Sequence, residues 1–345
     1  MRILVTGSQG YIGRILVRRL VAAGHHVVGL DAGWYARPGD TNDTAVIRAD
    51  VRDLPARRLA DFDAVAHFAA LSNDPLGELD PELTLEINCE ATLTLAEKAR
   101  EAGVSRFLFS SSCSIYGRSD ADAVDETAPV EPLTAYARSK VIAERGLVEL
   151  ASADFVPVIL RNATAYGVSP AQRFDLVVPN LVAAALTQGR IALLSDGAAW
   201  RPLVHIQDIA AACLALLGAP ADAVRGEAFN VGRDDDNHRV SDIAELIHTA
   251  LPECPISFAP GGGEPDARSY RVSFGKIRRL VPTFQPRWTL PRGIAECVAE
   301  FRALELTRAS LAESPGNRVK SLRALLDGGR LDSSLRWAAA PVAAI

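Results

Sequence analysis

The sequence is poor in the residues that staple or metallate a fold. Only five of its 345 residues are cysteine (Cys89, Cys113, Cys213, Cys254 and Cys297), an odd number with no C-x-x-C pair. That spacing implies neither a disulfide framework nor a zinc site. Among the six histidines, His25 and His26 are adjacent and His67, His205, His238 and His248 stand alone, so no metal is expected. Basic residues are not in excess: 37 against 42 acidic, for a net charge of −5. No Lys/Arg run offers a surface that would neutralise a phosphate backbone, which argues against nucleic acid. No uncharged run approaches the roughly 18 residues of a membrane-spanning helix. Met1 and Arg2 lead straight into "ILVTG", without the apolar stretch and cleavage site of a signal peptide. A cytoplasmic protein with no membrane partner is expected, and no internal repeat is present.

What is there reads as a globular protein. Hydrophobic residues make up 48% of the chain and charged ones 23%, and the length suits two domains or one with an appended lobe. The first half alternates apolar β-branched runs ("RILVTG", "HHVVGLD", "TAVIRAD", "AVAHFAA", "RFLFSSS") with segments of helical period such as "YIGRILVRRLVAAG" and "TLEINCEATLTLAEKAREAG". Such alternation predicts an α/β fold, a Rossmann-type doubly wound parallel sheet, over residues 1–163. In the first helix Ile12, Ile15, Leu16 and Leu20 form one apolar stripe, with Arg14, Arg18 and Arg19 mostly off it. After "PVILRNATAYG" the elements shorten and Pro and Gly increase. A second, smaller α/β substrate-binding lobe is expected over 164–345. Some of its segments are expected to return to the first domain, and a loosely ordered Ala/Pro tail is expected at its end.

"TGSQGYIG" sets Gly7, Gly10 and Gly13 three apart, after a strand and opening a helix. Glycines there allow a sharp turn and close approach of a pyrophosphate to the helix N-terminus, where Tyr11 and Ile12 present their N–H groups. Asp31 ends the next strand, 18 residues beyond Gly13. Its carboxylate suits an adenosine ribose and repels a 2′-phosphate, so NAD is expected rather than NADP. Arg37 would admit a 2′-phosphate only if its loop folded back.

In "PLTAYARSK" Tyr136 and Lys140 lie one helical turn apart, about twenty residues after the serine-rich strand "FLFSSSCSIYG". A phenol with a pKa near 10 supplies only about one molecule in a thousand as base at neutral pH. Lys140 and an oxidised nicotinamide are expected to lower it by about 3 units, which is about 4 kcal/mol of differential stabilisation.

With the glycine triplet, Asp31, "ADV" at 49–51, "HFAA" at 67–70, the serine strand and Tyr136-x-x-x-Lys140 all in order, residues 1 to about 300 resemble the extended short-chain dehydrogenase/reductases. Within them the chain is most similar to the NAD-dependent nucleotide-sugar epimerase/dehydratases of the UDP-galactose 4-epimerase kind. The resemblance implies Ser112, Tyr136 and Lys140 as catalytic residues. It places Asp50 and Val51 at the adenine, and Phe68, Ala69, Ala70 and Ser110 along the cofactor. Asn88 would sit behind the active site as part of the cofactor set. Ser72, Thr164, Asn180, Arg201 and Arg268 would hold a nucleotide-sugar substrate. The segment "PDARSYRVSFGK" resembles the family's phosphate-binding stretch, with Gly263 where an arginine is usual and Arg268 as its substitute. A homodimer through the helices bearing Asn88 and Tyr136 is also implied.

Dehydratases and decarboxylases of this family carry a carboxylate just after the catalytic hydroxyl, whereas here Cys113 and Ser114 follow Ser112. That favours epimerisation, most naturally at C4 through a 4-keto intermediate. A nucleotide-sugar dehydrogenase or ketoreductase, a dehydratase or decarboxylase, and a non-catalytic dinucleotide-binding regulator are the alternatives. Cys113 reads as a small strand residue rather than an acid or base.

Overall fold

The computed structural model describes residues 1–37, 40–41, 43–258 and 268–338. The first half contributes β1 (Arg2–Thr6), β2 (His26–Asp31), β3 (Ala45–Arg48), β4 (Ala64–His67), β5 (Arg106–Ser112) and β6 (Val156–Asn162). The remainder contributes β7 (Thr164–Tyr166), β8 (Ile191–Leu193), β9 (Trp200–His205), β10 (Ala228–Val231), β11 (Asn237–Arg239) and β12 (Ile256–Phe258). Seven strands form one parallel sheet in the order β10-β6-β5-β4-β1-β2-β3. Both faces are covered, so Ile3, Leu4 and Val5 in β1 and Phe107, Leu108 and Phe109 in β5 are all completely buried. This is why those strands read as unbroken apolar runs.

The chain winds outward in both directions from β1 and β4. In such sheets the crevice opens at the carboxyl ends of the strands where the winding reverses. The helix Tyr11–Ala22 buries Ile15, Leu16, Val17 and Leu20. Arg14, expected off the apolar stripe, is buried as well, because its guanidinium reaches the Thr41 carbonyl at 2.6 Å and Asp40 at 3.1 Å.

A second lobe is built from the small sheets β11-β9-β7 and β12-β8 and the helices Val177–Gln188, Val240–Ala250 and Leu290–Ala303. Its core gathers Tyr166, Val178, Leu203, Ile243 and Phe301. Two segments beyond residue 164 belong with the first sheet. β10 pairs with β6, and the helix Ile206–Gly218 packs on Tyr11–Ala22. The C-terminal part also returns. After the helix Arg318–Asp327, Leu322, Leu331 and Leu335 close over Leu71, Leu76, Leu83 and Ile87. The expected loose Ala/Pro tail falls mostly at 339–345, outside the described residues. Among the described residues, no helix is long and apolar enough to cross a membrane.

Candidate active site

A cleft of about 660 Å³ runs along the carboxyl ends of the central strands. At one end lie Gly7, Gly10, Tyr11, Ile12, Gly13 and Asp31; in the middle Ser110, Ser112, Tyr136 and Lys140; at the other end Thr164, Asn180, Arg201 and Arg268. Asp50, Val51, Phe68, Ala69, Ala70 and Ser72 complete the expected lining. Arg37 is not on this wall.

The glycine turn is dictated by space. Gly7 has φ +69°, and a Cβ there would come within 2.8 Å of the Phe68 and Ala69 backbone. A Cβ on Gly13 would lie 2.0 Å from the Gly7 carbonyl oxygen. Gly10 caps the helix without a side chain, which leaves the first-turn N–H groups facing the cleft end. Asp31 accepts from Gln9 N at 2.9 Å and Gly33 N at 2.8 Å. Burial pushes its carboxyl up, and these two N–H groups pull it back. Thr6 Oγ1 accepts from the Phe68 and Ala69 N–H groups, both at 3.2 Å, and so fixes the chain where it leaves β4.

Thr134 caps the helix Ala135–Glu149 by accepting from Ala137 N at 3.1 Å, which puts Tyr136 in the first turn and Lys140 one turn later. Ser112 ends β5 and accepts from Ser114 N at 3.1 Å. Lys140 Nζ donates to the Ser110 carbonyl at 2.8 Å and lies 4.6 Å from the Phe109 ring centre and 5.7 Å from that of Tyr136. Burial lowers the lysine to about 7, with the Glu144 carboxylate and Cys89 acting in the opposite direction.

In the protein without its cofactor the Tyr136 phenol stands above its ordinary value. Burial raises it to about 12, and Asp74 pushes the same way, while hydrogen bonding to Ser112 and the charge of Arg173 pull it down. Lys140 is absent from these causes. Its ammonium is held by the Ser110 carbonyl and its charged form is itself disfavoured by burial.

Asn88 does not reach the cleft wall either. The single helix expected over this stretch is interrupted by a π-turn at Glu86–Glu90 between Pro81–Leu85 and Ala91–Glu101. Within it Asn88 is fully buried, donating to the Leu71 carbonyl at 3.0 Å and accepting from Leu71 N at 2.8 Å. It therefore holds the loop after β4 that carries Ser72. The Cys113 thiol lies 3.1 Å from the Arg161 carbonyl, and burial raises it well above its ordinary value. It is a packing residue.

Several cleft residues escaped sequence reasoning. Arg173 is buried, forks onto Asp175 at 2.9 Å through two nitrogens, and donates to Ser72 at 3.1 Å. Asn73 donates to Asp175 at 3.0 Å, and Asp74 accepts from Thr134 at 2.6 Å and pairs with Arg268. Trp34, Tyr35 and Arg318 also line the cofactor end. The Asn-Asp-Pro triplet at 73–75 is a helix-start signal that would have drawn attention to Asp74, whereas nothing local marks Arg318. Arg201 donates to the Trp200 carbonyl at 2.8 Å and the Arg268 carbonyl at 2.5 Å. Asn180 donates to the Phe174 carbonyl at 2.8 Å. Gly263 and the start of "PDARSYRVSFGK" lie outside the described residues.

Trp34 Nε1, Tyr35 Oη, Ser114 Oγ and Asn162 Oδ1 are buried on this wall without a hydrogen-bond partner among the described residues. Together with the cradle that a Cβ would fill and the Asp31 carboxylate, they fit a dinucleotide and a polar substrate. Among the described residues no cluster of His, Cys, Asp or Glu could hold a metal.

A cleft and a sheet of this kind define a nicotinamide-dependent enzyme of the extended short-chain dehydrogenase/reductase type, and comparison with known proteins agrees. Residues 3–232 match the NAD dependent epimerase/dehydratase family, and the chain belongs to it; its cofactor is NAD. It is 32% identical over 325 residues to the UDP-glucose 4-epimerase of Mycolicibacterium smegmatis, which covers 88% of this chain and 99% of the relative. Among solved structures, the NAD dependent NDP-hexosamine 5,6-dehydratase TunA superposes with a TM-score of 0.78 at 26% identity, covering 88% of this chain and 98% of that one. MoeE5 in complex with UDP-glucuronic acid and NAD gives 0.77 at 28%, covering 89% and 100%.

Proposed function

We propose that the protein interconverts a nucleotide-activated sugar and its C4 epimer through a transient 4-keto sugar. The observation that carries this reading is the meeting of Ser112, Tyr136 and Lys140 in one cleft with the glycine turn, with no carboxylate at position 113 or 114. Bound NAD supplies reversible two-electron oxidation at the carbon bearing the hydroxyl, and a positive charge near the phenol. Tyr136 takes the proton of the sugar hydroxyl and later returns it, while the Ser112 hydroxyl holds that oxygen in line. Lys140 anchors the phenol's surroundings through Ser110 and adds charge when protonated. Arg201 and Arg268 face the diphosphate, Thr164 and Asn180 the nucleotide, and Ser72 the sugar. The pair Asp74–Arg268 has to rearrange for this, since Arg268 is engaged by that carboxylate.

Residues 1–163 with β10 are assigned to NAD and the second lobe to the substrate. A cytoplasmic homodimer is part of the same reading. Ile142 and Val148, 46% and 47% exposed on the Tyr136 helix, supply its apolar face. Light scattering should find two chains, and Ile142→Glu should yield one.

The test of function is incubation of the purified protein with UDP-, dTDP- and GDP-sugars, followed by NMR. Interconversion without added cofactor and without net NADH is expected. Stoichiometric NADH, a 4-keto-6-deoxy product, or silence with every sugar while NAD binds would each replace epimerisation with one of the alternatives.

A further inference from the structure

Arg318 is 3% exposed at the start of the C-terminal helix, yet its guanidinium lines the cofactor end of the cleft. Its only hydrogen bond among the described residues is from Nη2 to the Ala171 carbonyl, at 3.1 Å. Among those residues it forms no ion pair within 4 Å; the neighbouring carboxylates Asp175 and Asp31 are hydrogen-bonded to Arg173 and to two backbone N–H groups. The guanidinium stacks 4.0 Å from the centre of the Tyr35 ring. Burying a cation without a directly paired counter-charge is costly, and here burial lowers the guanidinium to about 10, with Tyr35 and the more distant Asp175 and Asp31 only partly offsetting it.

The place where this charge is held explains its use. Ala171 lies in the loop whose Gly167 carbonyl accepts from Tyr11 Oη at 2.7 Å and whose Ser169 hydroxyl donates to the Tyr11 carbonyl at 2.8 Å. That loop is therefore tied to the first turn of the helix after the glycines, and Arg318 is brought to the helix's positive end. Two further donors on the same wall, Tyr35 Oη and Trp34 Nε1, are buried and have no partner among the described residues. The segment that delivers Arg318 is itself anchored beside Asp31. Trp337 Nε1 donates to the Ala32 carbonyl at 2.7 Å, Arg52 to the Ser334 carbonyl at 2.8 Å, and Arg336 pairs with Asp53.

We propose that Arg318 is a ligand of the NAD pyrophosphate, and that residues 318–337 form a strap whose office is to present this guanidinium opposite the glycine turn. The fork of an arginine matches two phosphate oxygens and supplies the counter-charge the helix N-terminus alone lacks. The proposal rests on NAD as the cofactor.

The test is titration calorimetry of the full chain, stripped of dinucleotide, with NAD, ADP, adenosine and NADP. Arg318→Met should weaken NAD and ADP by roughly ten- to a hundredfold and adenosine by less than about twofold. Arg318→Lys, which keeps the charge and the fold but not the fork, should fall between. Unchanged NAD and ADP affinity in both variants overturns the proposal. So does an equal loss for adenosine, which would mean collapse of the ribose site, or a loss confined to NADP, which would mean the group reads a 2′-phosphate. A wild-type chain that binds no dinucleotide overturns the cofactor assignment first and this proposal with it.

Discussion

Lys140 is buried and Tyr136 half-buried, and desolvation drives their protonation equilibria apart: it raises the phenol to about 12 and lowers the ammonium to about 7. On the proposed mechanism, a phenol raised this far needs the charge of the bound cofactor beside it before it can act as a base near neutrality. Tyr136→Phe removes the base and keeps the ring. Turnover should fall by about 10²–10⁴ while NAD binding stays within about twofold, and a variant that keeps turning over would unseat the assignment. Lys140 makes a separate statement about stability. Its folded value lies below its unfolded one, so between about 7 and the ordinary lysine range the unfolded chain binds more protons. Stability therefore rises with pH across that window, and the gain is lost as pH falls toward 7. At about 1.4 kcal/mol per unit the swing is bounded at about 5 kcal/mol. Urea unfolding of wild type and Lys140→Met, both stripped of dinucleotide, between pH 6.5 and 9.5 isolates the effect. The difference between the two should shift in favour of wild type as pH rises, and a flat difference would contradict the burial of the ammonium.

Elements were legible in the sequence where period and capping agreed. The runs that became β1, β4, β5 and β6 are apolar on both faces, and Thr134 marks the start of the helix that carries Tyr136 and Lys140. The glycine turn, Asp31 and the serine strand could be placed because each has a local signature. The π-turn at Glu86–Glu90 could not. One inserted residue leaves helical propensity and apolar period almost untouched, and only its partner reveals why it is there. Asn88, rotated by that turn, clamps the N–H and carbonyl of Leu71, which accounts for its burial far better than a direct cofactor contact. Asn88→Ala strands both backbone groups in a buried place, at about 1–3 kcal/mol for each unsatisfied group. Thermal unfolding should show a loss of that order. Because Ser72 follows Leu71, KM for the sugar should rise more than the affinity for NAD falls. Equal losses in both would mean that the clamp only stabilises the fold. The same element scale holds Glu144, whose carboxylate forks with Arg161 at 2.8–3.2 Å and accepts from Ser111. That network pins the Lys140 helix to β5 and β6.

At the scale of the molecule, the division at residue 164 is crossed repeatedly. β10 completes the first sheet, and the chain's end returns to the cofactor side. No local pattern announces such returns: "EAFNVG" reads as a strand wherever it pairs, and Leu322, Leu331 and Leu335 find their core only through tertiary contact with Leu71, Leu76, Leu83 and Ile87. The strap is thus held by a small satellite cluster rather than by the main sheet, and it should open locally without global unfolding. If Arg318 contributes to NAD binding, opening the strap gives up that contribution, so NAD must favour the closed form by the same factor. Backbone amide exchange in 318–331, measured by mass spectrometry, should slow by roughly tenfold or more at saturating NAD, with the ceiling set by the affinity that Arg318→Met removes. Leu331→Ala trims the satellite cluster, where a Leu→Ala change costs about 2–5 kcal/mol. It should speed exchange in the strap while leaving β1 and β5 protected, and weaken NAD without altering adenosine. If NAD leaves strap exchange unchanged while slowing that of the glycine turn, the strap covers a site it does not help to fill.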